Sequence, residues 1–380
     1  KSFKYLGQHM IVAGKENRIG YHAFGAVPIR TGYSGRFPAL GSEGTMNWTG
    51  FIPYEELPHS INPMEERLVT ANNPVIEEKV VGRNRAPISF SWSEPYRVQR
   101  ISERLEQLDK PSVADLSAIQ MDIQSGAAGR VLDRILAYPF EDPLAAEAHE
   151  YLREWDRTMH SSSLGALIFE VFLLQWIDLL IADELGEEFQ SYLSAWPSIY
   201  SIEDVILDHP DSALWDRKDT EKVETPAEII NLALTRTIRL LVERLGDDRT
   251  TWQWGDLHTV TFIHPAGTGV FGESIFNRGS FPAHGSLTTV NVGGYMPDAT
   301  GFNFDVAGIP NMRIVVPLDD PDRTVVISPP GQSGVPFHQH YDDMIEPWRE
   351  GVNIPLPFSR EAVDAAAVAE LWLYPVQGQP

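Results

Sequence analysis

The sequence predicts one α+β domain in which a helical insertion separates two β-rich stretches. Three observations carry this. Residues 1–97 are rich in Gly, Pro and aromatics and hold short strand-like runs. Residues 98–246 repeat apolar side chains at helical spacing. Residues 247–345 return to β-branched runs, and residues 346–380 form a tail with one short helix. Strands on both flanks of a helical middle fit a single mixed core with an insertion.

In the first stretch, His9-Met-Ile-Val-Ala13 and Ile19-Gly-Tyr-His-Ala23 read as strands. Phe51-Ile-Pro53 and Leu57-Pro58 read as extended loops crossing the surface. In the middle, Val98, Ile101, Leu105 and Leu108 line one helix face. Ser112 with Asp115 three residues on is a capping-box start for a helix carrying Leu116, Ile119 and Ile123. Thr225, Pro226 and Glu228 open another helix, whose apolar face includes Ile230, Leu234, Ile238 and Leu241 and which Gly246 ends. Thr259-Val-Thr-Phe-Ile263, Leu287-Thr-Thr-Val-Asn-Val292, Met312-Arg-Ile-Val-Val-Pro-Leu318 and Thr324-Val-Val-Ile-Ser328 read as strands. Ser359 starts the last helix, which runs through Ala365.

Composition narrows the function classes. The chain is 43% hydrophobic and holds 10 Trp, 12 Tyr and 17 Phe, which argues against disorder. It has no cysteine, so disulfides and thiolate metal sites are excluded. Acidic residues number 53 against 30 basic ones, a formal net charge of −23, and a field of that sign repels nucleic acid. The longest apolar stretch, residues 164–181, contains Glu170, Gln175 and Asp178, so it reads as a buried core helix and no membrane span is expected. Lys1-Ser2-Phe3-Lys4-Tyr5 is followed by no apolar run and does not read as a signal peptide. With Lys1 rather than Met at its start, and with strand-like sequence almost at once, the chain is expected to be a piece of a longer precursor.

Three local motifs are weighed and set aside. Gly267-Thr-Gly269-Val-Phe-Gly272 matches a dinucleotide fingerprint, but Gly279 and Pro282 interrupt the helix that should follow, so a glycine-rich turn is expected. His338-Gln-His340-Tyr-Asp342-Asp343 has metal-ligand character. No spacing recruits His209, His258, His264 or His284 to complete a set, so a hydrogen-bonded loop is expected. Gly331-Gln-Ser333-Gly334 lacks the second glycine of a nucleophile elbow, because Val335 stands there, and reads as a tight turn.

An ordered set of segments points further. Asn17-Arg-Ile19-Gly20-Tyr21 is followed by Arg30, Gly35, Pro38, Trp48-Thr-Gly50-Phe-Ile-Pro53, Leu57-Pro58, Asn62-Pro63 and Thr70-Ala-Asn72-Asn73. Tyr96-Arg97-Val-Gln-Arg-Ile101, Asp208-His-Pro210-Asp-Ser212, Trp215-Asp216, Trp252-Gln-Trp254-Gly255-Asp-Leu-His258 and His264-Pro265 continue it. Gly331-Gln-Ser-Gly334, His340-Tyr-Asp342-Asp343, Trp348 and Gly351 close it. Each piece is weak alone, but the order over nearly the whole chain is specific. The set resembles the C-terminal part of the β-chain of the penicillin acylase family, within the N-terminal-nucleophile hydrolases.

The resemblance implies a four-layer αββα fold, incomplete in this chain. It implies a precursor that cleaves itself, so that a serine becomes the first residue of the β-chain. That serine attacks the amide, and its own α-amine, with a pKa of ~8, takes the proton. Asn72 matches the family's oxyanion-hole asparagine, whose amide offers two donors and no charge. Arg97 matches its positioning arginine, a fork that orients an amide oxygen without accepting a proton. Read from the residues alone, Asn72-Asn73-Pro74 is equally a turn and Arg97 a surface charge near a helix start.

The chain departs from the family pattern in telling places. It begins with Lys1, and the resemblance puts position 1 inside the β-chain, so the nucleophile is absent from this chain. The catalytic serine and most of the acyl pocket are expected on one or more upstream chains of the same precursor. His9 and Gly14 stand where relatives often have Asn and Asp. The family often binds a structural calcium partly through an Asp between the asparagine and the arginine, but residues 80–88 hold none. Calcium takes about six to eight oxygens, so a site here would rest on carbonyls and upstream carboxylates. No organic cofactor is expected.

The resulting expectation is part of an amidohydrolase acting on a linear, small-molecule N-acyl amide. Penicillin or cephalosporin side chains and N-acyl-homoserine lactones are the candidate substrates. A periplasmic or secreted location follows from the resemblance only, and the composition fits the cytoplasm equally. Two rivals stand beside it. One is an inactive relative that binds an acyl ligand or a partner, since fold does not fix function. The other is a metal-dependent hydrolase built on His338, His340 and Asp342.

Overall fold

The computed structural model describes residues 7–74, 88–89, 92–195, 206–298 and 302–374. Two compact units emerge: Lys1–Asp109 with Asp122–Pro310, and Lys110–Met121 with Asn311–Pro380.

The first unit opens with β1 (Gln8–Gly14) and β2 (Arg18–Phe24), an antiparallel hairpin. Asn17 closes its turn at φ +55°, a left-handed value that Asn tolerates better than most residues. A second antiparallel pair, β3 (Pro28–Thr31) and β4 (Asn47–Phe51), follows, and β5 (His59–Ile61) then joins the free edge of β2. The segments expected as surface loops are corrected here. Phe51 ends β4, while Ile52 and Leu57 are buried against Val27. The Ile52 N–H donates to the Val27 carbonyl at 2.9 Å and the Ala23 N–H to the Pro58 carbonyl at 2.8 Å. The prolines break strand pairing, but the apolar residues beside them still leave water.

Helices follow: α1 (Tyr96–Glu106), α2 (Val113–Gln120), α3 (Gly126–Ile135), α4 (Pro143–Glu154) and α5 (Leu164–Leu185). Ser125, Asp142 and Ser163 cap α3, α4 and α5 through side-chain oxygens that accept backbone N–H groups. The helix Pro226–Leu245 has the Thr225–Glu228 capping box and the Gly246 stop that its sequence predicts. α5 is the centre of the core and packs against α4 and Pro226–Leu245. It is long and apolar enough to cross a membrane, yet it is the buried core helix its polar residues predict. Glu170 is fully buried in its second turn and accepts the Tyr295 hydroxyl at 2.7 Å.

Two further expectations fail in this unit. Residues 287–292 form turns and bends, not a strand. Hydroxyls displace the ladder: the Ser286 N–H donates to Thr289 Oγ1 at 2.9 Å, and that hydroxyl donates to the Asn291 carbonyl at 2.8 Å. The glycine-rich run is not a plain turn either, because a helix, Gly269–Phe276, opens inside it. It follows β6 (Thr259–Phe262), but β6 pairs antiparallel with β7 (Arg278–Pro282) directly after the helix. A dinucleotide fingerprint sits in a parallel βαβ unit, so that reading falls on topology, not for want of a helix.

In the second unit, α2 has the Ser112–Asp115 capping box. Strands Arg313–Val315, Val325–Ile327 and Ile354–Pro355 form an antiparallel sheet, and Gln120 Nε2 donates to the Ile314 carbonyl at 3.1 Å. Ser359 caps the helix Arg360–Ala366 as expected.

Candidate functional site

In the first unit a cleft of about 740 Å3 is lined by Asn72, Trp92, Ser93, Arg97, Leu287, Val290, Val292 and residues 308–310. Asn72 follows β5 and takes φ +61°. Its neighbour Asn73 accepts the Ala71 N–H at 3.0 Å, a side-chain contact across the bend. The local structure is a bend at Ala71 and Asn72, not a turn across Asn72-Asn73-Pro74.

Arg97 lies in the first turn of α1, where a positive charge opposes the helix dipole. Its partners explain its presence there. Nη2 donates to Asn72 Oδ1 at 3.0 Å and to Ser93 Oγ at 3.2 Å. The Ser93 N–H donates to the Asn72 carbonyl at 2.9 Å. Burial lowers the Arg97 pKa from its ordinary value, opposed by the nearby Glu94 carboxylate. A guanidinium only donates, so the amide oxygen of Asn72 must face it. The Nδ2 group is left on the other arm of the amide, with no hydrogen-bond partner among the described residues.

Asp122 ties α1 to the 287–292 turn. Arg100, one turn along α1, grips this carboxylate with Nε to Oδ1 at 3.0 Å and Nη2 to Oδ2 at 2.8 Å. The Asp122 carbonyl accepts the Asn291 N–H at 2.9 Å, in the turn that carries Val290 and Val292. The structure thus brings Asn72 and Arg97 into direct contact. It adds Ser93, Asp122 and the 287–292 turn, which the sequence reading did not single out. Ser93 has one readable signal, its place four residues before Arg97 and just ahead of the helix.

The rival motifs stay local. His340 Nδ1 meets Asp343 Oδ2 at 2.7 Å, and the His340 N–H donates to His338 Nδ1 at 3.1 Å. Ser333 accepts the Val335 N–H at 3.1 Å, capping its own turn. His264 Nδ1 accepts the Ala266 N–H and His284 Nδ1 the Ser161 N–H, each at 3.0 Å. Among the described residues no three His, Asp or Glu side chains converge as a metal set. Residues 80–87, where the resemblance would put part of a calcium site, lie outside the described residues.

Comparison with known proteins decides the family, since residues 1–365 match the penicillin amidase family. The chain belongs to that family. Among penicillin amidase relatives, acyl-homoserine lactone acylase QuiP of Pseudomonas aeruginosa is 28% identical over 386 residues, covering 93% of this chain and 45% of that protein. The penicillin acylase 2 proenzyme of Pseudomonas sp. (strain SE83) is 28% identical over 379 residues, covering 97% and 46%. The chain therefore spans about half the length of these curated relatives. A thermostable penicillin G acylase from Alcaligenes faecalis superposes with a TM-score of 0.64 at 16% identity, over 99% of this chain and 69% of that one. This likeness shows that the chain shares the mixed helix-and-sheet fold of that penicillin G acylase.

Proposed function

We propose that this chain is the C-terminal part of an amidohydrolase that cleaves a linear N-acyl amide, with the nucleophilic serine supplied by an upstream chain. The observation that carries the reading is the 3.0 Å bond from Arg97 to the oxygen of Asn72. It turns a flexible amide into an oriented N–H donor on the rim of a cleft. Such a donor suits an oxyanion, which gains full charge only near the transition state.

In this mechanism the serine hydroxyl adds to the substrate carbonyl, and its proton passes to the serine's own α-amine. The carbonyl oxygen becomes an oxyanion held by Asn72 Nδ2–H. The intermediate collapses as the amine leaves with that proton, and the acyl group remains as an ester on the serine. Water then repeats the sequence and releases the carboxylic acid. Arg97 touches no reacting atom and fixes the aim of Asn72. The apolar lining of Leu287, Val290 and Val292 suits an apolar group beside the scissile amide. The relatives named as acylases of homoserine lactones and of penicillin support substrates of the N-acyl class. A periplasmic or secreted location belongs to the same reading.

The test is intact-mass analysis and N-terminal sequencing of everything that co-purifies with the chain, followed by assay on a panel of N-acyl amides. A companion polypeptide beginning with Ser, Thr or Cys, with amide cleavage by the complex, is the expected result. A complex that binds N-acyl ligands but cleaves none overturns the reading in favour of a binding protein.

A further inference from the structure

We infer that Ser93 is a positioning residue that sets the aim of the Arg97 fork on Asn72. The inference rests on the amidohydrolase reading for its kinetic consequence, and on the geometry alone for its structural one. A guanidinium Nη2 carries two N–H bonds in one plane, about 120° apart. Asn72 Oδ1 at 3.0 Å and Ser93 Oγ at 3.2 Å both accept from that one nitrogen. Ser93 takes one N–H and fixes the plane, so the other is directed at the amide oxygen. Without Oγ the fork is free to turn about its stem, and the amide of Asn72 loses its orientation.

The main chain of Ser93 adds a second tie. Its N–H donates to the Asn72 carbonyl at 2.9 Å, on a residue held at φ +61°. Ser93 thus grips Asn72 through the backbone and Arg97 through the side chain, closing a triangle between the bend and the start of α1. Both functions are separable by mutation, because the backbone bond survives any side-chain change except proline.

The experiment uses the enzyme assembled with its upstream chain. Ser93→Ala removes Oγ and nothing else from the triangle. The expected result is a fall in kcat of about tenfold, the order of one lost charge-assisted hydrogen bond, with KM and Tm unchanged. Ser93→Thr keeps a hydroxyl and should restore kcat. In an Arg97→Lys background, Ser93→Ala should add little, since the fork it aims is gone. A wild-type kcat in Ser93→Ala, or a loss that Ser93→Thr leaves unrescued, overturns the assignment. If the assembled wild-type enzyme cleaves no N-acyl amide, the functional reading fails separately. The clamp is then judged by the crystal structure of Ser93→Ala. A displaced Arg97 side chain supports it, and an intact Arg97–Asn72 bond overturns it.

Discussion

Tyr295 donates its hydroxyl to Glu170 Oε2 at 2.7 Å, joining a residue after the 287–292 turn to the second turn of the core helix α5. Both residues are buried among apolar side chains. Removing the donor deletes a hydrogen bond to a carboxyl where water cannot replace it, which typically costs ~1–3 kcal/mol. Tyr295→Phe should therefore lower stability by that order in urea unfolding, although it deletes a single oxygen. The double variant Tyr295→Phe/Glu170→Leu removes both polar partners and should recover part of the loss. A Tyr295→Phe protein as stable as wild type would show that this bond is not a structural tie.

Asn72 is tested by separating its two amide atoms. Asn72→Asp keeps an acceptor for Arg97 but offers no N–H to an oxyanion. Turnover should fall by about 10²–10³, the usual effect of losing an oxyanion donor, while folding is retained. Asn72→Ala should lose turnover similarly and adds backbone strain, because alanine disfavours the φ of +61° that Asn tolerates. Steady-state kinetics on an N-acyl amide check both. Wild-type turnover in Asn72→Asp removes the amide from the mechanism.

Arg97→Lys probes geometry at constant charge. An ammonium reaches as a point, whereas the fork bonds Asn72 and Ser93 from one nitrogen. The expected outcome is a kcat reduced by at least ~10-fold with KM little changed, on the order of one lost charge-assisted bond. Binding of a substrate-like inhibitor, measured by calorimetry, should persist. Wild-type rates would return Arg97 to the status of a charge at a helix start.

The elements best read from sequence are those whose determinants are local. The capping boxes at Ser112 and Thr225 and the cap at Ser359 each need only four consecutive residues, and each is present. The 287–292 segment misleads because its β-branched residues suit a strand, while its buried hydroxyls bond their own turn. Asn72 and Arg97 are nameable only from the ordered resemblance. Nothing periodic marks them, and the bond that pairs them spans 25 positions. Asp122 is harder still, since its work lies in contacts to Arg100 and Asn291 that no local pattern encodes. Cross-segment hydrogen bonds are what a one-dimensional reading loses.

His258 gives the stability of this unit a pH dependence. The ring is fully buried, stacked on Trp254 at 4.4 Å between centroids, and its Nδ1 bonds the Phe304 carbonyl at 2.9 Å. A carbonyl only accepts, so Nδ1 carries the proton and Nε2 is a bare acceptor, without a partner among the described residues. Burial pushes its pKa down to about 4, opposed by the Phe304 carbonyl and reinforced by His284. In the unfolded chain an unperturbed histidine binds its proton near pH 6.5. Between those values the unfolded state holds more protons, so stability falls as pH drops from about 6.5 towards 4 and is fully present above that window. The effect is on the order of 3 kcal/mol. Urea unfolding at pH 7.5 and 4.5 should show it, and His258→Gln or His258→Phe should flatten the difference. Gly293→Ala gives the control. A Cβ there would lie 2.6 Å from His258 Nε2, so the variant should be destabilised through steric conflict while His258 still titrates. A His258 variant with the wild-type pH slope would show that this ring binds its proton alike in both states, and the window would then belong to other groups.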